Sequence, residues 1–328
     1  MRSSSRSCIF TVLSAAVLIP ILTGVALAQT GPWPNRPVRF IVPFTAGGAN
    51  DLLPRIFAER MQNLGQPVVV ENRPGAGSNV GTAYVASQPA DGHTLLLASV
   101  AHVVNFSFFS KLGYDPIKDF APITMVATIP FVFTVNSSLG VNTTKDMIAY
   151  LKTKPATYGT AGIGSSHHLA AELLRTMTGA DLTHIPYKGA SGVVPALLAN
   201  EITFSIASMS TLVPHFKSGR LKALAVSGSE RTPLLPDVPT MAESGVLPGY
   251  AIDVWFGVLA PAGTPRPIID RLNGIINGIV RDQEVVRDKF TPVGLSPVGS
   301  TPERLLDVMK TDLAKYVKIA KEANIKPE

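Results

Sequence analysis

The fold of this chain is indicated most clearly by residues 38–51, which read VRFIVPFTAGGAND. The apolar run Val38–Val42 predicts a strand, Gly47 and Gly48 predict a tight turn, and a helical pattern begins at Asp51. The free N–H groups and the dipole at the start of such a helix favour an anion in the loop. A tight βα turn without any ligand is the alternative that this segment leaves open.

Residues 1–28 have the pattern of a cleaved signal peptide. Arg2 and Arg6 precede an apolar run, and Ala26-Leu27-Ala28 has the small-x-small form of a signal peptidase site. We therefore predict secretion, with Gln29 as the new N-terminus. A single membrane anchor is the competing interpretation, which the serine, proline and glycine inside the apolar run disfavour.

The composition narrows the class of protein. The single cysteine, Cys8, lies in the predicted signal, so we expect no disulfide and no thiolate metal site in the mature chain. The formal net charge of +6 falls to about +4 without Arg2 and Arg6, and the remaining basic residues are scattered. Nucleic acid is therefore not an expected partner.

Predicted strands and helices alternate through the mature chain, which is typical of an α/β fold with parallel strands and crossover helices. Two long extended runs, residues 123–135 and 252–259, bracket an internal βα series, as a hinge between two lobes requires. We expect residues 29–128 and 255–328 to form lobe 1 and residues 129–254 to form lobe 2. The C-terminal helices should pack back on lobe 1.

Lobe 2 repeats the device of a glycine-rich loop before a helix. Residues 159–168 read GTAGIGSSHH, with Ser165 or Ser166 as the helix cap, and form a second candidate anion site. Tyr187, Ser208 and, in lobe 1, Ser99 follow other predicted strands. They are candidate ligand contacts because open α/β sheets bind ligands at the carboxyl ends of their strands.

A nucleotide cofactor is not expected. The sequence Gly75-x-Gly77-x-x-x-Gly81 superficially resembles a dinucleotide fingerprint, but it has one residue too many between its last two glycines. No acidic residue closes a later strand at the distance that would place it on the ribose. We expect neither a cofactor nor a bound metal.

Eight short motifs, in this order, resemble those of the Bug family, the periplasmic solute receptors of tripartite tricarboxylate transporters. The resemblance runs from about Trp33 to the last helix. Its carriers are Trp33-Pro34-x-x-Pro37, Val42-Pro43-Phe44-x-x-Gly47-Gly48-x-x-Asp51, Val70-Glu71-Asn72-Arg73-Pro74-Gly75-Ala76-Gly77, Pro89-Ala90-Asp91-Gly92-x-Thr94-Leu95-Leu96, Tyr114-Asp115-Pro116-x-x-Asp119-Phe120, His184-x-Pro186-Tyr187-Lys188-Gly189, Pro236-Asp237-Val238-Pro239-Thr240 and Ala260-Pro261-Ala262-Gly263-Thr264-Pro265.

The resemblance implies a two-lobed periplasmic-binding-protein (Venus flytrap) fold, each lobe a βα sandwich, that closes on one small carboxylate. It implies a solute-binding protein, not an enzyme, that is monomeric and passes its ligand to the membrane components of a tripartite tricarboxylate transporter. Matched position by position, it assigns one side of the cleft to Phe44, Thr45, Ala46, Gly47, Gly48 and Asp51. The other side takes Gly164, Ser165, Ser166 and His168.

One departure from the family bears on the ligand. Many relatives carry an acidic residue where this chain has Ala207-Ser208-Met209. Because a serine does not pair with an α-ammonium group as a carboxylate does, we predict a mono- or dicarboxylate that is not an amino acid. Phe44, Phe131 and Met209 suggest an aromatic ligand such as a nicotinate-like acid.

Several residues also have a structural interpretation. Asp51 is expected to cap the helix or brace the loop, since a carboxylate repels an anionic ligand. Arg73 is expected to pair with Glu71, and Trp255 and Phe256 to pack at the hinge. Of the adjacent His167 and His168, at most one faces the cleft. Lys188 either contributes to the charge of the cleft or lies on its rim.

Two other functions remain alternatives at the level of sequence. A secreted enzyme is disfavoured because the chain has no Gly-x-Ser-x-Gly nucleophile elbow, no His-Glu-x-x-His motif and no phosphate loop. A receptor that signals to a partner protein is not separated from one that feeds a transporter, since either partner could recognise the same closed form.

Overall fold

A computed structural model describes residues 32–322, without the side chains of Asp253 and Glu322. The predicted signal peptide, residues 1–28, lies outside the described residues. None of the helices within residues 32–322 combines the length and the apolar character needed to cross a membrane.

The first part of the chain forms a parallel βα layer. Its elements are β1 Val38–Val42, α1 Ala49–Arg60, β2 Val68–Asn72, α2 Asn79–Ala86, β3 Thr94–Ser99 and the short α3 Ala101–Val104. Strand β1 lies between β2 and β3 and is parallel to both. The apolar face predicted for α1 is buried, with Leu53, Ile56 and Phe57 each at most 3% exposed.

The strand β4, Phe120–Asn136, is 17 residues long and belongs to two sheets. Residues 120–130 pair antiparallel with a late strand of the chain, β9 (Asp253–Pro261), which itself lies beside β3. Residues 131–136 pair with strands of the second βα series. This continuous strand is the first of the two extended crossings predicted from the sequence, and β9 begins at the second.

The second βα series lies on the far part of β4. Its elements are α4 Thr144–Thr153, β5 Ala156–Thr160, α5 Ser166–Thr178, β6 Leu182–Pro186, α6 Ala190–Leu198, β7 Phe204–Ser208, α7 Met209–Lys217 and β8 Leu221–Val226. Strands run in the order β4-β7-β5-β6, with β8 on the other side of β4. Strand β5 lies between β6 and β7 and is parallel to both.

After β9 the chain returns to the first sheet through α8 Arg266–Arg281, α9 Gln283–Val285, β10 Ser296–Pro297 and α10 Pro302–Glu322. Thr124 of β4 donates a hydrogen bond to Asn277 of α8 at 2.7 Å. Trp255 of β9 donates to Asp312 of α10 at 2.8 Å. Both helices therefore pack on the first sheet, as predicted, and Trp255 is a packing residue.

One serine connects the two crossings. The hydroxyl of Ser227, which is fully buried, accepts a hydrogen bond from the N–H of Phe131 at 2.9 Å and donates one to the carbonyl of Ile252 at 2.6 Å. Its own N–H donates to the carbonyl of Phe131. Because Phe131 lies on β4 and Ile252 immediately precedes β9, Ser227 holds the two strands together where they leave the first sheet.

Candidate functional site

A cleft lies between the two βα layers, where the carboxyl ends of their parallel strands face each other. Its cavity has a volume of about 20 Å³. The polar residues that line it are Thr45, Asn50, Ser99, Ser165, Ser166, His167 and Ser208. Aromatic walls come from Phe44, from Phe131 of β4 and from Phe256 of β9. The site is thus at the position where α/β sheets bind ligands.

The loop after β1 is held in place by Asp51. Its carboxylate accepts hydrogen bonds from the N–H of Gly47 at 3.1 Å, from Arg55 at 2.9 Å and from Asn72 at 2.9 Å. Asn72 also donates to the carbonyl of Phe44. Burial works to raise the pKa of Asp51, but these hydrogen bonds, that of Arg55 first, hold it below its usual value. Asp51 therefore braces the loop and does not line the cleft, in agreement with its structural interpretation.

The glycines of this loop have different roles. Gly47 adopts a positive φ of 97°, a conformation that favours glycine, and a Cβ there would meet open space. Gly48 is the N-cap of α1 and lines the cleft together with Ala49 and Asn50. The first N–H groups of a helix have no intrahelical partner. The N-terminus of α1 therefore contributes free donors on one side of the cleft.

The opposite side is the N-terminus of α5. Ser165 is its N-cap: the hydroxyl accepts from the N–H of His168 at 3.3 Å and donates to the carbonyl of Gly162 at 2.6 Å. The proton of this hydroxyl is therefore used within its own loop. Ser166, which is 7% exposed, lines the cleft and its hydroxyl has no partner among the described residues. Ser166 is therefore the better hydroxyl donor to a ligand.

The structure places His167, and not His168, in the cleft lining. Successive helical residues point about 100° apart, so the two rings separate. His168 stacks on His184 with ring centroids 4.0 Å apart and accepts from the N–H of Gly164. His167 lies 3.3 Å from the hydroxyl of Ser208 through Nε2 and packs edge-on against Phe131. His167 therefore lines the cleft in place of His168, which the resemblance had assigned to it.

Within the described part of the chain, two buried polar atoms in the cleft lack a hydrogen-bond partner, namely Oδ1 of Asn50 and Nδ1 of His167. Burial lowers the pKa of His167 to about 4, so its ring is neutral at pH 7. Among the residues whose side chains the structure describes, those that line the cleft include no lysine, arginine, aspartate or glutamate. A ligand would thus meet dipoles and neutral hydrogen-bonding groups.

Asn50 was missed in the sequence analysis, although its position one residue into α1 is the signal that could have indicated it. Phe256, interpreted there as hinge packing, also lines the cleft. Met209 is fully buried and is not part of the lining. Arg73 pairs with Glu71 at 2.6 Å and lies 3.6 Å above the ring of Tyr84, as a structural residue.

Three glycines allow the two sides to come together. A Cβ on Gly77 would clash with the carbonyl oxygen of Ile163, and one on Gly164 would clash with Asn105 and Phe109. A Cβ on Gly189 would clash with the hydroxyl of Thr45, which also lies 3.3 Å from the hydroxyl of Ser191. In each case the clashing group belongs to the opposite βα layer. We call these three glycines the seam.

A second, larger cavity of about 340 Å³ adjoins the cleft. Phe44 and Ala161 line both cavities. The outer cavity is also lined by Gly75 to Ser78 on one side, and by Tyr187 and Lys188 on the other. The glycine-rich sequence that superficially resembles a dinucleotide fingerprint is therefore part of the outer wall.

The residues predicted to bind a ligand are thus placed in three groups. The cleft is lined by Phe44, Thr45, Gly48, Ser99, Ser165, Ser166 and Ser208, and the outer cavity by Phe44 and Tyr187. Neither cavity is lined by Ala46, Gly47, Asp51, Gly164 or His168. Within residues 32–322, no group of three or more His, Asp or Glu is arranged to hold a metal ion.

Comparison with known proteins gives a consistent result. Residues 54–325 match the model of the tripartite tricarboxylate transporter family receptor. Protein BugT of Bordetella pertussis is 37% identical over 323 residues, which cover 96% of this chain and 98% of that protein.

Solved structures show the same architecture. An R. palustris protein solved with adipate has a TM-score of 0.86 and 36% identity, and the match covers 90% of this chain and 100% of that one. The periplasmic binding protein BugD has a TM-score of 0.85 and 32% identity, with coverage of 90% and 100%. The predicted α/β, two-lobed periplasmic-binding-protein fold is confirmed, and we refer below to the two βα layers as lobes.

Proposed function

This chain belongs to the tripartite tricarboxylate transporter receptor family, and from that premise we propose that it is a periplasmic receptor for a small carboxylate. The ligand would bind in the cleft between the lobes, and the closed form would deliver it to the membrane components of a tripartite tricarboxylate transporter. The adipate in the R. palustris structure supports the ligand class. The signal-peptide pattern of residues 1–28 supports the location.

The observation that carries this proposal is the pair of helix N-termini on opposite sides of the cleft. The first turns of α1 and α5 both line it, through Asn50 and Ser166. Helix dipoles and free N–H groups at such termini favour anions, each by about 0.3–1 kcal/mol and more where partly buried. A carboxylate held between two of them gains from both.

The charge balance of the site also suits a receptor that must release its ligand. An arginine in the cleft would bind a carboxylate more strongly, but it would be left unpaired and partly desolvated in the empty closed form. Neutral donors such as Ser166 and the N–H groups of α1 avoid that cost. Neutral donors therefore allow the receptor both to bind the carboxylate and to release it.

The direct test is calorimetry of the mature protein with a panel of simple carboxylates, together with the shift of the melting temperature. Binding to the folded state raises its stability by about 2.7 kcal/mol at a ligand concentration of 100 times Kd. We expect micromolar or tighter binding of at least one carboxylate, recovered chemically unchanged. Chemical conversion of the bound compound would instead support an enzyme.

A matched pair of variants localises the site. Ser166→Ala removes the free hydroxyl in the cleft and should weaken binding at least about tenfold, since a hydrogen bond to a charged group contributes about 1.5–3 kcal/mol. Ser218→Ala, an exposed serine at the end of α7, should bind like the native protein. Equal affinities of both variants would place the site elsewhere.

A further inference from the structure

The loop between β2 and α2 has an unusual backbone conformation. The angle φ is positive at four consecutive residues, 143° at Gly75, 44° at Ala76, 60° at Gly77 and 100° at Ser78. The left-handed region is sterically unfavourable for a residue that carries a Cβ, as Ala76 and Ser78 do. Because residues persist in such conformations only where their surroundings fix them, other parts of the protein must hold this loop in place.

The side chain that holds the loop is Asn105, which directly follows α3. It is fully buried, and its Nδ2 donates to the carbonyl of Gly77 at 3.0 Å, to the hydroxyl of Ser78 at 3.0 Å and to Oδ1 of Asn79 at 2.7 Å. The hydroxyl of Tyr114 donates to the same Oδ1 of Asn79 at 2.8 Å. One buried amide therefore ties three consecutive residues to the end of α3.

The same amide lies at the contact between the lobes. Gly77, whose carbonyl accepts from Asn105, lies against the carbonyl oxygen of Ile163 in lobe 2. A Cβ on Gly164 would clash with Oδ1 of Asn105 itself. This Oδ1 has no hydrogen-bond partner among the described residues, so it meets lobe 2 by packing alone. Asn105 thus contacts two of the three seam glycines, one through its nitrogen and one through its oxygen.

We propose that Asn105 is a positioning residue for closure of the lobes, which holds residues 75–78 in the conformation that fits against Ile163 and thereby sets how long the closed form retains its ligand. This inference rests on the proposed function, to which it adds a residue that controls retention from outside the site. Asn105 lines neither the cleft nor the outer cavity, so it acts through Gly77 and not by touching the ligand.

The experiment measures binding of straight-chain mono- and dicarboxylates, adipate among them, to the mature protein. The acid that the native protein binds most tightly is then used with the variants. Asn105→Ala should lower the affinity at least about tenfold, since the apparent affinity falls with the population of the closed form. Stopped-flow kinetics should locate the change in the dissociation rate, because the ligand first meets the open form and closure then retains it.

Asn136→Ala is the matched control. Asn136 is also a buried asparagine, and its Nδ2 donates to the carbonyls of Leu197 and Leu198 at 2.9 and 3.2 Å, at the end of α6 in lobe 2. Both substitutions remove a buried amide, so both should lower the midpoint of urea denaturation. Only Asn105→Ala should raise the dissociation rate, which a merely structural role would leave at the native value.

Two further variants make the test independent of a severe loss of stability. Tyr114→Phe removes one donor from Asn79 and should raise the dissociation rate by a smaller factor than Asn105→Ala. Ala76→Gly removes the Cβ from one left-handed position. In a double-mutant cycle, Asn105→Ala should therefore cost less affinity in the Ala76→Gly background than in the native one.

The outcomes distinguish this inference from the proposed function. If Asn105→Ala releases the ligand as slowly as Asn136→Ala, the positioning role is wrong while the receptor function stands. If Asn105→Ala does not fold, a native dissociation rate in Tyr114→Phe contradicts the role, and a raised rate supports it. If the native protein binds none of the acids, the carboxylate receptor and this inference are both contradicted.

Discussion

Gly77 of lobe 1 lies directly against the carbonyl oxygen of Ile163 in lobe 2, with no space for a Cβ between them. The obstacle is backbone, so a rotating side chain cannot relieve it. With Gly164 and Gly189, this contact forms the seam along which the lobes meet. The contact between the lobes therefore depends on the absence of a side chain at Gly77, whereas Gly164 and Gly189 face the ends of side chains.

Gly77→Ala should hinder closure and weaken ligand binding by at least about tenfold, which corresponds to about 1.4 kcal/mol. Calorimetry measures the affinity, and solution scattering measures whether the ligand still compacts the protein. Gly140→Ala is the matched control. Both residues have a positive φ, 60° and 75°, so both substitutions carry the same backbone strain of about 1–2 kcal/mol, but the Cβ at Gly140 meets open space. If Gly77→Ala and Gly140→Ala bind the ligand with equal affinity, the contact at Gly77 does not control closure of the lobes.

The bracing of the first loop by Asp51 predicts a loss of stability in Asp51→Asn. The buried carboxylate serves three donors, and an amide in its place keeps only part of this network, at a cost of about 1–3 kcal/mol. Asp270→Asn breaks an exposed pair with Arg266 on α8 and should cost at most about 1 kcal/mol. Urea denaturation compares the two. A similar small effect at both sites would show that Asp51 is not a brace.

Low pH should reduce the stability of the fold through the same carboxylate, Asp51. Because the pKa of Asp51 is lowered in the folded state, its contribution to stability is present above the unfolded pKa, near 4, and is lost as the pH falls through the folded value. The native protein should therefore lose stability more steeply below pH 4 than Asp51→Asn does. Parallel slopes of the melting temperature against pH in this range would argue against the linkage.

A second pH range involves the stacked pair His168 and His184. Burial lowers their pKa values to about 3 and about 4, against about 6.5 in the unfolded chain. Between pH 6.5 and 4 the unfolded chain binds more protons than the folded one, so stability must fall as the pH falls. His184→Gln should show a shallower fall of the melting temperature over this range. An unchanged slope would mean that His184 is protonated in the folded state.

Of the side chains that the structure describes, none that lines the cleft is a carboxylate, which predicts discrimination against amino acids. Adipate and 2-aminoadipate have the same length and differ in one ammonium group, for which the cleft provides no counter-charge. Adipate should bind at least about tenfold more tightly. Ser208→Asp should reduce this ratio, while Ser218→Asp, outside the cleft, should preserve it. Tighter binding of 2-aminoadipate by the native protein would contradict the prediction.

Local patterns in the sequence predicted those elements whose neighbours in space are also neighbours along the chain. The helix cap predicted at Ser165 or Ser166 is the N-cap of α5, and α1 begins at Ala49, close to the predicted Asp51. The strand β9 is different, because its insertion between β3 and β4 depends on partners more than 120 residues away. A local sequence pattern does not predict which distant strands β9 pairs with.

Contacts between residues distant along the chain also explain why some features of the site were not predicted from the sequence. Adjacent histidines on one helix turn are equivalent in sequence, and only packing against Phe131 and His184 separates His167 from His168. The seam glycines are explained by atoms of the opposite lobe, which their own sequence neighbours do not reveal. The bracing role of Asp51 was predictable, since its position at a helix start beside a glycine loop is a local signal.

The shared strand β4 has a consequence for how the protein unfolds. Its residues 120–130 complete one sheet and its residues 131–136 complete the other, without a flexible linker between them. Loss of either sheet would expose one half of the same strand, so partial unfolding of a single lobe is costly to the other. We expect one calorimetric transition with equal van't Hoff and calorimetric enthalpies, as for a single cooperative unit.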